Sequence, residues 1–233
     1  MTESPGLVLF GDVVGSRHDS AGSTAWLRDL VTELDAAYGG ERLASFGFTQ
    51  GDELQGLLAP TADPLTAVLR AALGPGGRRM RWVVARGEVD ADPTGVRAPA
   101  TERTGPAFVL ARTAIDEART SHERLVILTG QADVDALLAD LTPALVDMLD
   151  GLTERQRTVA RLALIEDLRQ SEVADRLHVR RATISVSFNR ARVRSLQRLV
   201  AGIRRVYSSG PADPWRAATE SAQEAQVERG VEP

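Results

Sequence analysis

LTERQRTVARLALIEDLRQSEVADRLHVRRATISVSFNRA, residues 152–191, is the stretch whose reading decides the architecture. Thr153 stands as a cap with Gln156 three positions on, a capping-box pattern that opens a helix burying Val159, Leu162, Ala163 and Ile165. Gln170 to Leu177 reads as a second, short helix through Val173, Ala174 and Leu177, and His178-Val179 as a turn. A long third helix is expected from Arg181, burying Ile184 and Phe188 and continuing through Leu196, Leu199, Val200 and Ile203. A small residue at Ala174 permits close crossing of two helices, and Val179 supplies the apolar residue that the turn must bury. This is the pattern of a helix-turn-helix.

Charge agrees. Residues 151–206 carry 13 Arg against 5 acids, a balance of +8, while residues 1–150 stand at −9 and the remainder at −3. A basic helical module behind an acidic one fits double-stranded DNA as partner. On the third helix, Arg180, Arg181, Thr183, Ser185, Asn189 and Arg190 are placed to reach the groove. Arg155, Arg169, Arg192 and Arg194 are placed to meet phosphates. The competing reading is a helical bundle that binds another protein and uses its arginines only for solvation.

Outward from this module the chain alternates. Leu7-Val8-Leu9-Phe10 is an apolar run stopped by Gly11-Asp12, as in a buried strand. Residues 20–38 read as a helix ended by Gly39-Gly40, and Leu43 to Phe48 and Leu54 to Leu58 as a hairpin around Thr49-Gln50-Gly51-Asp52. Residues 63–73 suit a helix, Met80 to Val89 a strand, 106–120 a helix and Arg124 to Leu128 a last strand. The expected fold class is α+β: a ferredoxin-like βαββαβ unit plus one strand, with its helices on one face, followed by an all-α helix-turn-helix domain. The expected boundaries are 1–130 for the sheet domain, 131–150 for a helical linker, 151–207 for the helical domain and 208–233 for a flexible tail. The apolar stripe Leu196, Leu199, Ile203 and Val206 is expected to form the seam of a homodimer.

Composition removes several function classes. The chain has no cysteine, so disulfides and thiolate metal sites are excluded, and a cytoplasmic location is expected. It has no lysine, so a phosphate loop that depends on one is excluded. No apolar run approaches a membrane span of about 20 residues, and no membrane partner is expected. His122 and His178 lack metal-ligand spacing, and Ser16, Ser45 and Ser121 lack His and Asp partners for a hydrolase triad.

The sheet domain carries a second candidate site. Asp12 follows the first strand and Asp52 sits at the hairpin tip, positions from which two carboxylates can share Mg²⁺. Backbone N–H groups of Val13, Val14, Gly15, Ser16 and Arg17, at a helix start, are candidates to cradle a nucleotide's phosphates, with Gly51 and Glu53 across from them. Arg86, Arg103 and Arg112 are candidates to neutralise a phosphate from the far rim, or else pair with surface acids. The plainer reading of Asp12 and Asp52 is that they serve as turn and cap residues.

Four stretches carry family resemblances. "VLFGDVVGSR" resembles the first metal motif of class III nucleotidyl cyclases, and "TQGDELQGLL" the hairpin motif of GGDEF-type diguanylate cyclases. The helical module is similar to region 4 of sigma factors. With "TGPAFVLARTAI" added, residues 7–207 resemble the SatD-like family. The resemblance implies a cyclase-like palm fused to a DNA-binding end, with Asp12 and Asp52 as metal ligands and Val13 to Arg17 around phosphates.

Departures from the cyclase pattern are equally specific. Val109 and Thr113 stand where class III cyclases carry the Asn and Arg of the transition state, Gln50 replaces the first Gly of the GGDEF hairpin and Leu54 its Phe. Such groups typically supply several kcal/mol of barrier lowering, so no residue is assigned a catalytic role. The leading expectation is a transcriptional regulator that senses a purine nucleotide or cyclic dinucleotide through its degenerate palm. The alternatives are an active nucleotidyl cyclase or nucleotide hydrolase localised by its helical end, and a DNA-binding regulator whose palm only dimerises.

Overall fold

The computed structural model describes residues 3–15, 20–49, 53–91 and 98–209. Along the chain run β1 (Glu3–Val13), α1 (Ser20–Tyr38), β2 (Arg42–Phe48), β3 (Glu53–Leu58), α2 (Leu65–Leu73), β4 (Met80–Asp90), α3 (Pro106–Ser121) and β5 (Leu125–Leu128). Five helices follow: α4 (Ala132–Asp150), α5 (Glu154–Leu164), α6 (Gln170–Arg176), α7 (Arg181–Arg190) and α8 (Val193–Ser208). The protein is thus mixed α+β, with a five-stranded sheet ordered β2-β3-β1-β4-β5. All neighbours are antiparallel except β4 and β5, which are parallel.

The sheet is covered on both faces, and this corrects the expectation of helices on one. Leu7, Val8 and Leu9 are fully buried and Phe10 is 2% exposed, so β1 has no solvent side. An alternating strand would have left every second residue in water; a continuous apolar run needs cover above and below. Leu7, Leu9 and Val13 join Leu27, Leu34, Leu65 and Leu69 of α1 and α2. Val8 and Phe10 join Ala107, Phe108, Ala111 and Ile115 of α3 on the other side. Gly56 shows how close the first of these layers lies: a Cβ there would fall 2.1 Å from the Phe46 ring, which stacks on Tyr38 at 5.7 Å.

Two further expectations change at the helical end. The third helix is not continuous: α7 stops at Arg190, Arg192 takes a left-handed conformation (φ 49°), and α8 starts afresh at Val193. A kink there turns the apolar stripe of α8 back toward its own chain. Leu196 and Ile203 are fully buried and Val200 nearly so, with Leu199 and Val206 packed against the same cluster, which also contains Leu138, Leu145 and Leu149 of α4. The stripe read as a dimer seam is therefore occupied within the chain. α4, read as a linker, is the packed layer between β5 and α8.

The contact between the helical end and the sheet layers is polar at its rim. Arg161 of α5 and Arg70 of α2 both donate to Glu33 Oε1 of α1, at 3.1 and 2.8 Å. Arg204 of α8 donates twice to Asp63 Oδ2, at 2.6 and 3.1 Å, and the Arg86 guanidinium lies 4.5 Å over the Tyr207 ring.

Candidate functional site

Two arrangements have the character of a site, one on the helical end and one on the α3 face of the sheet.

On the helical end, the Thr153–Gln156 reciprocal bonds form as the spacing predicts: Thr153 N–H donates to Gln156 Oε1 at 2.8 Å, and Gln156 N–H to Thr153 Oγ1 at 3.4 Å. Val173, Ala174 and Ile184 are buried between α6 and α7. His178 makes the turn in a left-handed conformation (φ 52°), and Val179 N–H donates to Ala174 O at 3.0 Å. Ile184 and Phe188 anchor one face of α7, which leaves its other face to solvent: Arg180, Arg181, Thr183, Ser185, Asn189 and Arg190 are all exposed. Arg155, Arg192 and Arg194 are exposed as well.

Among the described residues, no carboxylate pairs with any of Arg155, Arg180, Arg181, Arg190, Arg192 or Arg194. Arg169 differs. Its backbone N–H and its guanidinium both donate to Glu172, at 2.7 and 2.8 Å, so it is engaged at the start of α6. Donating to the Glu172 carboxylate holds the Arg169 guanidinium more firmly protonated, and accepting from the Arg169 side chain and backbone lowers the Glu172 carboxyl. Val186, 49% exposed, adds one apolar contact to the same face of α7.

On the sheet, Asp12 of β1 and Glu53 of β3 are register partners, so their carboxylates stand side by side on the face that α3 covers. Both are buried, at 7% and 8% exposure. Three arginines converge on them. Arg81, the β4 register partner of Asp12, donates to Asp12 Oδ2 at 2.7 Å, and Arg119 of α3 donates to the same oxygen at 3.3 Å. Arg112, one face-repeat earlier on α3, donates to Glu53 Oε2 and lies 4.6 Å over the Phe10 ring. Arg119 also reaches Glu53 Oε2 at 3.4 Å, and Gln55 donates to Glu53 Oε1 at 3.0 Å.

The electrostatics follow from that geometry. Burial pushes the Glu53 carboxyl up, but the hydrogen bonds from Arg112 and Gln55 and the charges of Arg112 and Arg119 outweigh it, and the group sits below its ordinary value. Arg119 is held above its ordinary value, first by its bond to Asp12.

Mg²⁺ does not fit the described half of the expected metal pair. The Asp12 carboxylate is already neutralised by two guanidiniums, with a third at Glu53, and a divalent cation would have to displace positive charge to reach it. Among the described residues no group of three or more His, Asp or Glu gathers to hold a metal. Asp52, Gly51, Ser16 and Arg17 lie outside the described residues. The expected phosphate cradle is also altered where it is described. The Val13 side chain is in the core, and Val14 N–H is spent on Arg79 O at 2.9 Å. Gly15 takes φ 77°. Gly11 has a packing role, since a Cβ there would meet Met80 Cε at 2.7 Å and the Trp82 ring at 2.9 Å.

Of the rim arginines named from the sequence, only Arg112 reaches this cluster. Arg86 lies on the opposite face over Tyr207, and Arg103 donates to Asp90 O at 2.9 Å. Arg81 and Arg119 were not singled out by the sequence reading. The signal for Arg119 was present, because a spacing of seven from Arg112 puts both on one helix face; that for Arg81 requires the strand register. Val109 and Thr113 are on the exposed side of α3, Val109 at 68%.

No family model matches the chain, and no curated protein sequence matches it. Among solved structures it is similar to a bacterial light-regulated adenylyl cyclase, at 14% identity over 55% of this chain and 77% of that one, with a TM-score of 0.40. It is also similar to a regulator of polyketide synthase expression from Bifidobacterium adolescentis, at 16% identity over 89% of this chain and 83% of that one, with a TM-score of 0.27. Neither likeness assigns a function to this chain. No described helix is long and apolar enough to cross a membrane.

Proposed function

We propose that this protein is a transcriptional regulator that binds double-stranded DNA through α7, with α6 and α7 acting as a helix-turn-helix and the sheet domain as a ferredoxin-like, cyclase-like palm. The observation that carries the reading is the outer face of α7. Arg180, Arg181 and Arg190 stand exposed there with Thr183, Ser185 and Asn189, and no carboxylate among the described residues neutralises them. A helix-surface arginine can be neutralised by an acid three or four residues along, as Arg169 is by Glu172. A row of unpaired guanidiniums interleaved with hydroxyl and amide side chains suits phosphates and base edges together.

The test is a fluorescence-anisotropy titration of the full chain with random-sequence and selected duplexes across a salt series. The reading requires log K to fall linearly with log salt, with a slope of about −0.9 per phosphate neutralised. It also requires Arg181→Ala to lose discrimination between selected and random duplexes. Affinity that is flat with salt, or absent, sinks it.

A nucleotide-sensing role for the palm is supported by one feature, the gathering of Arg81, Arg112 and Arg119 at the Asp12–Glu53 pair. Arg112 and Arg119 are part-exposed and would meet a nucleotide's phosphates by exchanging their carboxylate partners, without a metal on Asp12. Nucleotide added at neutral pH without divalent cation would raise the melting temperature of the wild type and not of Arg112→Gln. No rise in the wild type ends the sensing role.

A further inference from the structure

Between loop 74–79, the start of β4, the end of α4 and the first turns of α5 there is a second gathering of arginines. They line a cleft of about 30 Å³, room for about one or two water-sized atoms. Arg78, Arg79 and Arg124 come from the sheet side and Arg157 from α5; Arg78 is turned to Ser23 Oγ at 3.1 Å, and the lining holds one carboxylate, Asp150 at the end of α4. Asp150 Oδ2 accepts from Arg124 Nη1 at 3.0 Å and pairs with Arg79 Nε at 3.3 Å. Arg157 has no carboxylate partner: its Nη1 donates to Gly77 O at 3.2 Å, and its Nε is buried with no hydrogen-bond partner at all. With Arg78 engaged elsewhere, Arg79, Arg124 and Arg157 face one carboxylate, an excess of two positive charges in the lining. The chain's own groups supply no counter-ion for that excess.

We propose that this cleft is an anion site for a small molecule bearing a phosphoryl group, held between Arg79, Arg124 and Arg157. The charge matches: a phosphate monoester carries about −1.5 to −2 at neutral pH, against two uncompensated guanidiniums, whereas a carboxylate would leave one over. The size matches a single phosphoryl oxygen entering between Arg124 and Arg157, while the rest of the group stays outside beside Arg79, whose side chain is 62% exposed. A duplex backbone matches the charge less well, because each of its phosphates carries a single charge. The occupant would bridge α5 to the sheet side at Arg124, and so fasten the two halves of the chain together.

The experiment is thermal unfolding of the full chain with inorganic phosphate, pyrophosphate or a nucleoside monophosphate, each against chloride at matched ionic strength. A ligand that binds only the folded state raises the melting temperature progressively with its concentration. The expected result is a rise of several degrees with at least one of the three, lost in Arg157→Gln and in Arg79→Gln. If Arg157→Gln fails to fold, the exposed Arg79→Gln decides. A larger rise with the nucleoside monophosphate than with phosphate identifies a nucleotide; equal rises identify the phosphoryl group alone. No rise beyond chloride, or the same rise in the folded variants, overturns the proposal. No DNA enters this measurement, so its failure is separate from that of the DNA reading.

Discussion

Arg161 of α5 and Glu33 of α1, 128 residues apart, are joined by a hydrogen bond of 3.1 Å from Nη2 to Oε1, and the same oxygen accepts from Arg70. One carboxylate thus ties the helical end to the sheet layers through two guanidiniums. Both Arg70 Nε and Arg161 Nη1 are buried without hydrogen-bond partners. Glu33 is therefore the chief compensation for two charges at a contact on which the placement of α5 depends.

Glu33→Gln is expected to destabilise the protein by about 1–2 kcal/mol, below the range for fully buried pairs because all three side chains keep about a quarter of their exposure. For a chain of this size that is a fall in melting temperature of about 2–8 °C. Differential scanning calorimetry checks it. An unchanged melting temperature would show that solvent, and not Glu33, compensates the pair.

Gly56→Ala is expected to be costly, at about 3 kcal/mol or more, because the new methyl would enter the Phe46 ring. Phe46 cannot simply rotate away, since it is stacked on Tyr38, which is itself buried and bonded through its hydroxyl to Asp63 O at 2.8 Å. Gly56→Ala paired with Phe46→Ala should recover part of the loss in urea unfolding. Full additivity of the two changes would contradict the contact.

The Glu53 carboxyl is lowered in the folded state by Arg112, Gln55 and Arg119, against the opposing effect of burial. A depressed carboxyl contributes stability above its unfolded value of about 4.3 and loses it as pH falls through the lower folded value. Wild-type stability should therefore decline as pH drops below about 4.3, and Glu53→Gln should show a shallower acid limb. Parallel acid limbs for the two proteins, read by denaturant unfolding at each pH, would remove Glu53 as a contributor.

Substitutions on the helical end should divide by role. Arg194→Ala is expected to weaken binding to all duplexes alike and to reduce the salt slope by about 1. Asn189→Ala or Arg181→Ala is expected to cost about 1–3 kcal/mol on a selected sequence and less on random DNA. Arg169→Ala should have a smaller effect on affinity, because that guanidinium is already engaged by Glu172. Equal losses at Arg169 and Arg181 on a selected duplex would argue against α7 as the reading element.

The order of elements was legible because each leaves a local mark. The run Leu7 to Phe10, the Thr153–Gln156 spacing and the Gly39-Gly40 stop are visible in single stretches, and the structure puts strand, helix and helix end there. The break at Arg192 was not legible, because the apolar spacing of Ile184, Phe188, Leu196 and Ile203 continues across it and only a left-handed residue interrupts it. The site was half visible. Asp12, Glu53 and Arg112 were named from the sequence, while Arg81 and Arg119 were not.

The sequence by itself determined which segments are strands and helices, where the positive charge is concentrated, and which carboxylates lie at strand ends. These follow from periodicity and composition within a few turns of chain. The tertiary structure alone decided what those groups meet: that α3 covers the second face of the sheet, that α8 packs on α4 of its own chain, and that Asp12 is held by Arg81 and Arg119. Each of these is a contact between residues far apart in sequence, whose formation depends on strand register and helix direction in space, and no local pattern encodes either.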